Sequence, residues 1–371
     1  MGETTRRQAL GVIGAATAAG PVLAGHAVAA ATAGRGSRAM RAVPRLLAVP
    51  VAQRDLAWLR QSLQAAIELE FATIPPYLYA LWSIKDRRGE VADAILGIAW
   101  QEMFHLGMVC NLLTAVGGVP RIRDVAPVYP GPLPGGVRPE LKEVYLAGLA
   151  PQAGQDGDVL RVFMNIEAPE RPLARETYPS IGAFYTAVQT AFRELYPKGG
   201  FTAGTQVAAM VGGDQLSAVT SVATADRAFD LITEQGEGTT ESPQGGPYPR
   251  ELAHYYRFGE LWHGKALRRN TTTNTWEFSG DPIARPAVHP LGRVPAGGWA
   301  DAAPEVRRRL DEFNTEYQTM LGSLETVWAA TRPTDLRIAT QQMYRLSDLA
   351  AQLVQVPAAV VYGPEFTGRR G

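Results

Sequence analysis

The stretch AILGIAWQEMFHLGMVCNLLTAV, residues 94–116, decides the fold because its apolar residues cover every side of a helix. Its main polar residues are Gln101, Glu102, His105, Asn111 and Thr114. Such a helix is predicted to be buried all round, where a carboxylate is costly unless it is protonated, paired or bound to a metal. Glu102 and His105 are three residues apart, so both side chains can reach one point. The pair therefore predicts an inward-facing metal site.

A Glu-x-x-His pair on an inward face is the ligand pattern of ferritin-like di-metal carboxylate bundles, which need a second such pair and one Glu from each of two other helices. The segment RELAHYYRF provides a second pair, Glu251 and His254. The segment GELWHG provides an alternative pair, Glu260 and His263, on the same predicted helix. The two pairs face opposite sides, so only one can point inward. Spacing favours the first pair and leaves the second open.

The first helix offers the next ligand. Glu70 lies seven residues before Tyr77 and shares its helix face, which makes Glu70 the candidate ligand and Tyr77 the candidate catalytic residue. Glu68 points about 160° away and is predicted to lie on the outer face.

The remaining helix offers two acidic residues in LITEQGEGT. Glu234 lies within the predicted helix and Glu237 lies between two glycines, so the pattern leaves open which of them binds metal. Glu167 and Glu194 are reserve candidates.

Two prolines interrupt the apolar stretch that holds Glu70. Because Pro75 and Pro76 lack N–H groups, the carbonyls of Phe71 and Ala72 lose their helical partners. Either one helix bends here, or one helix ends and a second begins at Pro75. Both alternatives place an irregularity within about two turns of the predicted ligand.

Helical periodicity over most of the chain predicts a mainly α fold, a ferritin-like four-helix bundle with a long irregular crossover and additional C-terminal helices. Helices are predicted at 53–73, 75–86, 90–116, 180–196, 204–212, 215–235, 249–268, 303–330 and 334–355. The predicted domains are an export signal at 1–33, a linker at 34–50, the bundle at 51–268 with an insertion at 119–180, and a C-terminal segment at 269–371 that combines an irregular region with a helical pair packed on the bundle.

The composition limits the partners. The chain has 371 residues, of which 46% are hydrophobic and 19% charged, as expected of a globular protein. Its 36 basic and 36 acidic residues cancel, so no charge excess indicates nucleic acid or anionic lipid, and a small-molecule substrate is predicted. The single Cys110 excludes an internal disulfide, and its apolar neighbours predict a buried, inert thiol.

The N-terminal run TRRQALGVIGAATAAGPVLAGHAVAAATA is typical of a cleavable twin-arginine export signal. It places Arg6 and Arg7 before a small-residue stretch and is too weakly apolar for a membrane anchor. A periplasmic or extracellular location is therefore expected, by a route that carries folded proteins and suits a protein loaded with metal before export.

Several long motifs carry a resemblance to a known family: LQAAIELEFATIPPYLYALWSI, AWQEMFHLGMVCNLLTAVGGVPRI, FMNIEAPERP, SIGAFYTAV, LITEQGEGT and ELAHYYRFGEL. They resemble the iminophenyl-pyruvate dimer synthase type of ferritin-like domain, found in enzymes that couple indole-pyruvate imines in violacein and rebeccamycin biosynthesis. The resemblance covers nearly all of the chain after residue 50. It implies metal ligands at Glu70, Glu102, His105, Glu234 or Glu237, Glu251 and His254. Ala183 stands where many relatives carry an acidic residue, which removes one possible ligand.

The predicted function is an exported di-metal oxidoreductase acting on a small imine or amino-acid-derived molecule in secondary metabolism. Two iron ions are the first choice because carboxylate-rich sites with few histidines suit hard redox metals, and manganese is the alternative. The aromatic candidates for a substrate pocket or for core are Tyr79, Trp82, Trp100, Phe104, Tyr255 and Trp262. Two other functions stay open, a ferroxidase or peroxide-detoxifying protein, and a non-catalytic module whose buried glutamates pair with Arg161 or Arg257.

Overall fold

The computed structural model describes residues 42–134, 141, 143–150, 158–169, 181–196, 206–237, 242–244, 251–329, 333–357 and 361–367. Its α-helices are α1 (Ala42–Leu47), α2 (Leu56–Ser83), α3 (Glu90–Ala115), α4 (Val159–Ile166), α5 (Ile181–Leu195), α6 (Val222–Glu237), α7 (His254–His263), α8 (Pro304–Ala329) and α9 (Pro333–Val354). The strands form two antiparallel hairpins, β1 (Ala209–Val211) with β2 (Asp214–Leu216) and β3 (Lys265–Asn270) with β4 (Thr275–Pro282). The predicted mainly α class is confirmed.

Helices α2 and α3 pack along each other and form the centre of the fold. Asp55 caps the N-terminus of helix α2, because its carboxylate accepts a hydrogen bond from the Trp58 backbone N–H at 2.8 Å. Helix α3 is buried on every side over residues 104–115, as its apolar pattern predicts. It ends where Gly117 takes a φ of 69° and donates to the Thr114 carbonyl at 2.9 Å, a backbone conformation that glycine adopts without steric cost.

Helix α2 runs unbroken through Pro75 and Pro76, so the alternative of two separate helices is wrong. The Tyr129 hydroxyl donates to the Ala72 carbonyl at 2.6 Å and replaces the N–H that Pro76 lacks. A side chain from the following loop therefore satisfies one backbone group that the prolines leave free, two residues from Glu70.

The other helices pack on two sides of the α2–α3 pair. Helix α4 packs against α7 and α5 against α6, and both pairs contact α2 and α3. Helices α8 and α9 pack together, with α8 contacting α3 and α9 contacting α2. The Trp328 indole of α8 donates to the Asn111 side-chain oxygen of α3 at 2.9 Å, so a buried polar contact anchors the C-terminal pair.

Three predicted helices are wrong in part. Residues 209–212 and 215–216, expected to be helical, belong to the β1–β2 hairpin instead. Gly212 and Gly213, at the turn, have φ of 64° and 126°, values that a right-handed helix does not contain. The predicted helix over 249–268 is shorter, because α7 ends where Gly264 takes a φ of 65° and β3 follows.

None of the helices in the described part of the chain is long and apolar enough to cross a membrane. The predicted export signal at residues 1–33 lies outside the described residues. Of the predicted linker, the described part contains helix α1.

Candidate metal centre

Two groups of buried acidic and histidine side chains meet between α2, α3, the end of α4 and the start of α7. Glu70, Glu102 and His105 form the first group, and Glu102, Glu167 and His254 form the second. Within each group the candidate ligand atoms all lie within 4.8 Å of one another. Because Glu102 belongs to both groups, its two oxygens can bridge two ions.

Both imidazole rings turn Nδ1 toward the carboxylates. His105 Nδ1 lies 3.5 Å from Glu70 Oε2 and 3.9 Å from Glu102 Oε2. His254 Nδ1 lies 2.8 Å from Glu102 Oε1 and 3.7 Å from Glu167 Oε2. The two rings stack with their centroids 5.6 Å apart, so both histidines would hold ions in one common centre.

Both imidazole rings turn Nε2 toward a glutamine amide. His105 Nε2 lies 2.8 Å from Gln235 Oε1, and His254 Nε2 lies 3.0 Å from Gln101 Oε1. An amide oxygen only accepts, so Nε2 carries the hydrogen, and in the neutral ring the Nδ1 lone pair faces the carboxylates. Gln101 in turn donates to the Glu251 carboxylate at 2.5 Å. Hydrogen bonds of this kind orient the histidine ligands of metal sites.

Each of the three carboxylates accepts a hydrogen bond from one hydroxyl group: Thr73 donates to Glu102 at 2.9 Å, Tyr77 donates to Glu167, and Tyr185 donates to Glu70. Tyr77 and Tyr185 each bond Oε1 of their glutamate, while Oε2 of the same glutamate faces a histidine. The hydroxyls therefore fix the carboxylates in an orientation that directs free oxygens into the centre. Tyr77, the predicted catalytic residue, holds a candidate ligand.

Without ions, protons balance the charges of this centre. Burial raises the pKa of Glu102, and the nearby charge of Glu167 raises it further. Burial opposes a charged His254 ring, but the carboxylates of Glu102 and Glu167 outweigh it and raise its pKa to about 10. The pKa of His105 is also raised, because Glu70 and Glu102 outweigh its burial. Bound metal would therefore displace protons from these rings.

The donor set fits two divalent ions. Three carboxylates and two imidazoles supply the oxygen and nitrogen ligands that iron and manganese accept. His254 Nδ1 lies 2.8 Å from Glu102 Oε1, an ion-pair distance in the ion-free protein, where the ring is protonated. A bound ion would take the place of that proton between the two ligand atoms.

The structure brings four of the predicted ligands together, namely Glu70, Glu102, His105 and His254. It places Glu251 before α7, half-buried and in contact with Gln101, outside both groups. Because α7 begins only at His254, the spacing of Glu251 and His254 does not put them on one helix face. The sequence argument from three-residue spacing therefore fails for this pair.

Of the two acidic candidates of α6, Glu234 is not part of either group. Glu234 is half-buried, and the side chain of Glu237 lies outside the described residues. Helix α6 instead presents the buried Gln235 to His105.

The alternative pair Glu260 and His263 lies away from both groups. Glu260 is buried and accepts hydrogen bonds from the Arg257 guanidinium at 2.5 Å and the Leu267 backbone N–H at 2.7 Å. His263 is exposed and stacks on Phe278, with ring centroids 4.3 Å apart. Arg257 thus pairs with a glutamate outside the centre.

Four other residues singled out in the sequence lie apart from the centre. Glu194 is exposed on α5, as is Ala183. Glu68 is half-buried, and burial alone raises its pKa to about 7. The Arg161 guanidinium lies 6.0 Å from the centroid of the Trp262 ring. In the described part of the chain, no arginine forms an ion pair with a glutamate of the two groups.

Sequence reasoning gave too little weight to Glu167 and missed Gln235. Glu167 directly follows α4, in the mostly buried sequence VFMNIE, and only its apolar neighbours distinguish it from other glutamates. Gln235 has no charge and so gave no signal in a search for ligands. A cavity of about 50 Å³ adjoins the centre, lined by Glu70, Glu102, His105, Glu167, Tyr185 and apolar residues.

Comparison with known proteins agrees with the helical fold. A family model described as ferritin-like matches residues 63–263, more than half of the chain. Among solved structures, the crystal structure of a ferritin-like protein from Caulobacter vibrioides is similar, with a TM-score of 0.56 and 23% sequence identity over 82% of this chain and 97% of that chain. At that identity the likeness shows the fold alone. No curated protein matches the chain.

Proposed function

The chain belongs to the ferritin-like family, and we propose that it is a di-metal oxidoreductase that binds two iron ions, with manganese as the alternative metal. The observation that carries the proposal is the buried Glu102 shared by two groups, each completed by one carboxylate and one histidine. Glu70 and His105 would hold one ion, and Glu167 and His254 the other. When bound, such ions supply one- or two-electron redox chemistry toward dioxygen or peroxide.

The residues around the ligands fix the geometry of the centre. Tyr77 packs edge-on against Phe163, with ring centroids 4.6 Å apart, and lies 4.9 Å from Phe258. These rings exclude water from the Glu167 side of the centre while the Tyr77 hydroxyl holds the carboxylate. A fixed, dry ligand set requires little rearrangement during electron transfer.

The proposed reducing substrate is a small imine or amino-acid-derived molecule in secondary metabolism. The support for this substrate class is the resemblance of the sequence motifs to the iminophenyl-pyruvate dimer synthase type of ferritin-like domain. No residue of the described centre selects an indole over another aromatic group, so the substrate is proposed by class.

A second candidate function, ferroxidase or peroxide removal, is favoured by the size of the cavity. Its volume of about 50 Å³ suits ions, dioxygen or peroxide, whereas sites for small organic molecules measure roughly 300–1,000 Å³. The two candidates require the same ions and differ in the molecule oxidised.

Elemental mass spectrometry after anaerobic reconstitution tests the centre. We expect about two iron or manganese ions per chain, as in two-metal sites, and their loss when Glu102 and His105 are both replaced by Ala. The matched control replaces Glu194 and His263, both exposed, by Ala and should keep both ions. A protein that takes up no metal, or a Glu102/His105 variant that keeps it, would exclude the proposed centre.

Turnover of the iron-loaded protein separates the two candidate functions. Fe(II) oxidised catalytically by dioxygen or peroxide, or peroxide disproportionated to dioxygen and water, without an organic molecule would establish the second candidate. Oxidant consumed only when an aromatic imine is added, in proportion to imine converted, would establish the first. If the Glu102/His105 variant lacks the activity that the unaltered protein shows, that activity belongs to this centre.

We also propose export by the twin-arginine route. The Arg6-Arg7 pair before a small-residue stretch supports it. Replacing both arginines by Lys should retain the protein inside the cell, and N-terminal sequencing of the exported form should find cleavage near residue 33. Unchanged export of the Lys variant would reject this route.

A further inference from the structure

A second and larger cavity lies on the other face of the α2–α3 pair. It measures about 630 Å³ and is enclosed by α2, α3, the β1–β2 hairpin, α8 and α9. Its lining shares no residue with that of the cavity at the metal centre. The volume falls within the range of roughly 300–1,000 Å³ typical of small-molecule sites.

The lining of this cavity is apolar and adaptable. Four of the chain's 8 methionines line it, namely Met103, Met210, Met320 and Met343. Methionine side chains are flexible and adjust to ligands of different shape. Met210 and Tyr344, which are 61% and 62% exposed, also belong to the lining, so apolar side chains continue from the cavity to the solvent.

Arg87 is the one charged residue among the described residues that line the cavity. Its guanidinium is half-buried, and burial lowers its pKa. It donates one hydrogen bond, to the Ser347 hydroxyl at 3.2 Å, while Asp348 acts on it electrostatically without forming an ion pair within 4.0 Å. A guanidinium carries five donor N–H groups, so most of its donors stay available to a ligand.

A second polar group inside the cavity lining has no protein partner. Tyr317 is 1% exposed, and its hydroxyl forms no hydrogen bond to any described residue. Buried hydroxyls are normally hydrogen-bonded, because a buried hydroxyl without a partner has lost its hydrogen bonds to water and has gained none in return. The cavity therefore combines a large apolar volume, an available cation and an unpaired hydroxyl.

We propose that this cavity binds an elongated apolar carboxylate, such as a medium-chain fatty acid, with its carboxylate on Arg87. Its chain would lie among the methionines and among Trp82, Trp100 and Trp328, which also line the cavity. A planar guanidinium binds a carboxylate through two parallel hydrogen bonds, and the apolar lining removes the chain from water. The site is separate from the metal centre, so the inference goes beyond the proposed function and does not depend on it.

Calorimetric titration with dodecanoate, below its micelle concentration, and with dodecan-1-ol tests the assignment. We expect one dodecanoate per chain, bound whether or not metal is loaded. Arg87→Met should weaken dodecanoate binding at least tenfold and change dodecan-1-ol binding less than threefold, because only the acid has a charge for the guanidinium. Arg88→Met, the exposed neighbouring arginine, is the matched control and should bind both as the unaltered protein does.

Filling the cavity provides an independent test. Thr340 lines the cavity on α9, and Thr340→Trp should abolish binding of both molecules. Gln341→Trp adds the same ring at the adjacent exposed position and should leave binding unchanged. Met343→Trp, also in the lining, replaces Thr340→Trp if circular dichroism shows that the latter does not fold.

Three outcomes would overturn the inference. One is no saturable binding of dodecanoate to a protein that loads metal, which leaves the proposed function intact. Another is equal weakening by Arg87→Met and Arg88→Met. The third is sedimentation as a dimer that Thr340→Trp dissociates, which would make a second copy of the chain the occupant of this face.

Discussion

The two faces of the α2–α3 pair differ in how densely their buried polar side chains are hydrogen-bonded. On the face of the metal centre, each of the three carboxylates accepts a hydroxyl hydrogen bond and each imidazole contacts a glutamine amide. On the face of the large cavity, the Tyr317 hydroxyl has no partner among the described residues, and Arg87 donates one hydrogen bond to them.

The contrast follows from what each face has to hold: metal ligands on one face and an apolar molecule on the other. Hydrogen bonds have direction, so a fully paired polar group is held at one place, as metal ligands require. An apolar lining with few polar anchors fixes volume rather than direction and tolerates ligands of varied shape. One pair of helices thus presents a geometrically fixed site and an adaptable one, and substitutions on one face should not disturb the other.

The largest expected effect is on metal content and comes from Glu102, the residue shared by the two groups. Glu102→Gln keeps the shape of the side chain but removes the charge that can bridge two ions, and we expect both ions to be lost. Glu167→Gln removes a carboxylate of one group only, so about one ion per chain should remain after reconstitution with Mn(II). Elemental analysis after gel filtration measures both.

Two controls complete this comparison. Glu194→Gln, on the exposed face of α5, should keep both ions, and Glu102→Gln should still bind dodecanoate. Equal metal loss in the Glu102 and Glu167 variants would contradict the assignment of Glu102 as the shared ligand.

Metal loading should strengthen as the pH rises. In the ion-free protein the pKa of His254 is about 10, so near neutrality its ring carries a proton that a metal at Nδ1 must displace. Below that pKa, each displaced proton makes the apparent affinity rise about tenfold per pH unit. Chelator competition with Mn(II) at pH 6, 7 and 8 measures the slope, and an affinity independent of pH would contradict the protonated state.

The linkage to folding has the opposite sign. Because the folded-state pKa of His254 lies above its ordinary value of 6.5, its protonation stabilises the ion-free fold fully below about pH 6.5. That contribution falls as the pH rises through about 10. The ion-free protein should therefore lose this part of its stability between pH 7 and pH 10, whereas the metal-loaded protein should keep its stability. Chemical denaturation of both forms at each pH measures the difference.

A smaller effect on metal affinity is expected from the two glutamines. Gln235→Met and Gln101→Met each remove the acceptor that orients one imidazole, and each should lower the affinity of one ion about 10- to 100-fold. Glu251→Gln acts only through Gln101 and should cost less. Gln189→Met, whose amide contacts Asp230 near the surface, is the control. A uniform loss of both ions in either variant would show that the glutamines support folding rather than one ligand each.

The part of the centre that lies inside regular helix could be predicted from the sequence. Glu102 and His105 were identified because helical spacing and an all-round apolar helix fix where they point. Glu70 followed from its place on a long buried helix, and the structure brings it to the same centre.

The rest depended on where helices end, which local pattern determines poorly. Glu167 ends a short helix and His254 begins one, so neither has the helical neighbours that would reveal its direction. The spacing argument for Glu251 and His254 fails for the same reason, because Glu251 precedes the helix that begins at His254. The large cavity was beyond the sequence altogether, because it depends on how α8 and α9 pack across α2 and α3, contacts that join residues more than 200 positions apart.

The smallest expected effect is on the stability of the protein and comes from the cavity face, where removing a polar group should stabilise the fold. Tyr317→Phe removes a buried hydroxyl that has no described partner, so it should stabilise the ligand-free protein by about 1 kcal/mol. Tyr79→Phe is the matched control, because the Tyr79 hydroxyl donates to the Gly292 carbonyl at 2.6 Å and its removal should destabilise the protein by a similar amount. Urea denaturation measures both changes. If Tyr317→Phe destabilised the fold as Tyr79→Phe does, its hydroxyl would have a partner, and the contrast between a densely hydrogen-bonded face and a sparsely hydrogen-bonded one would not hold.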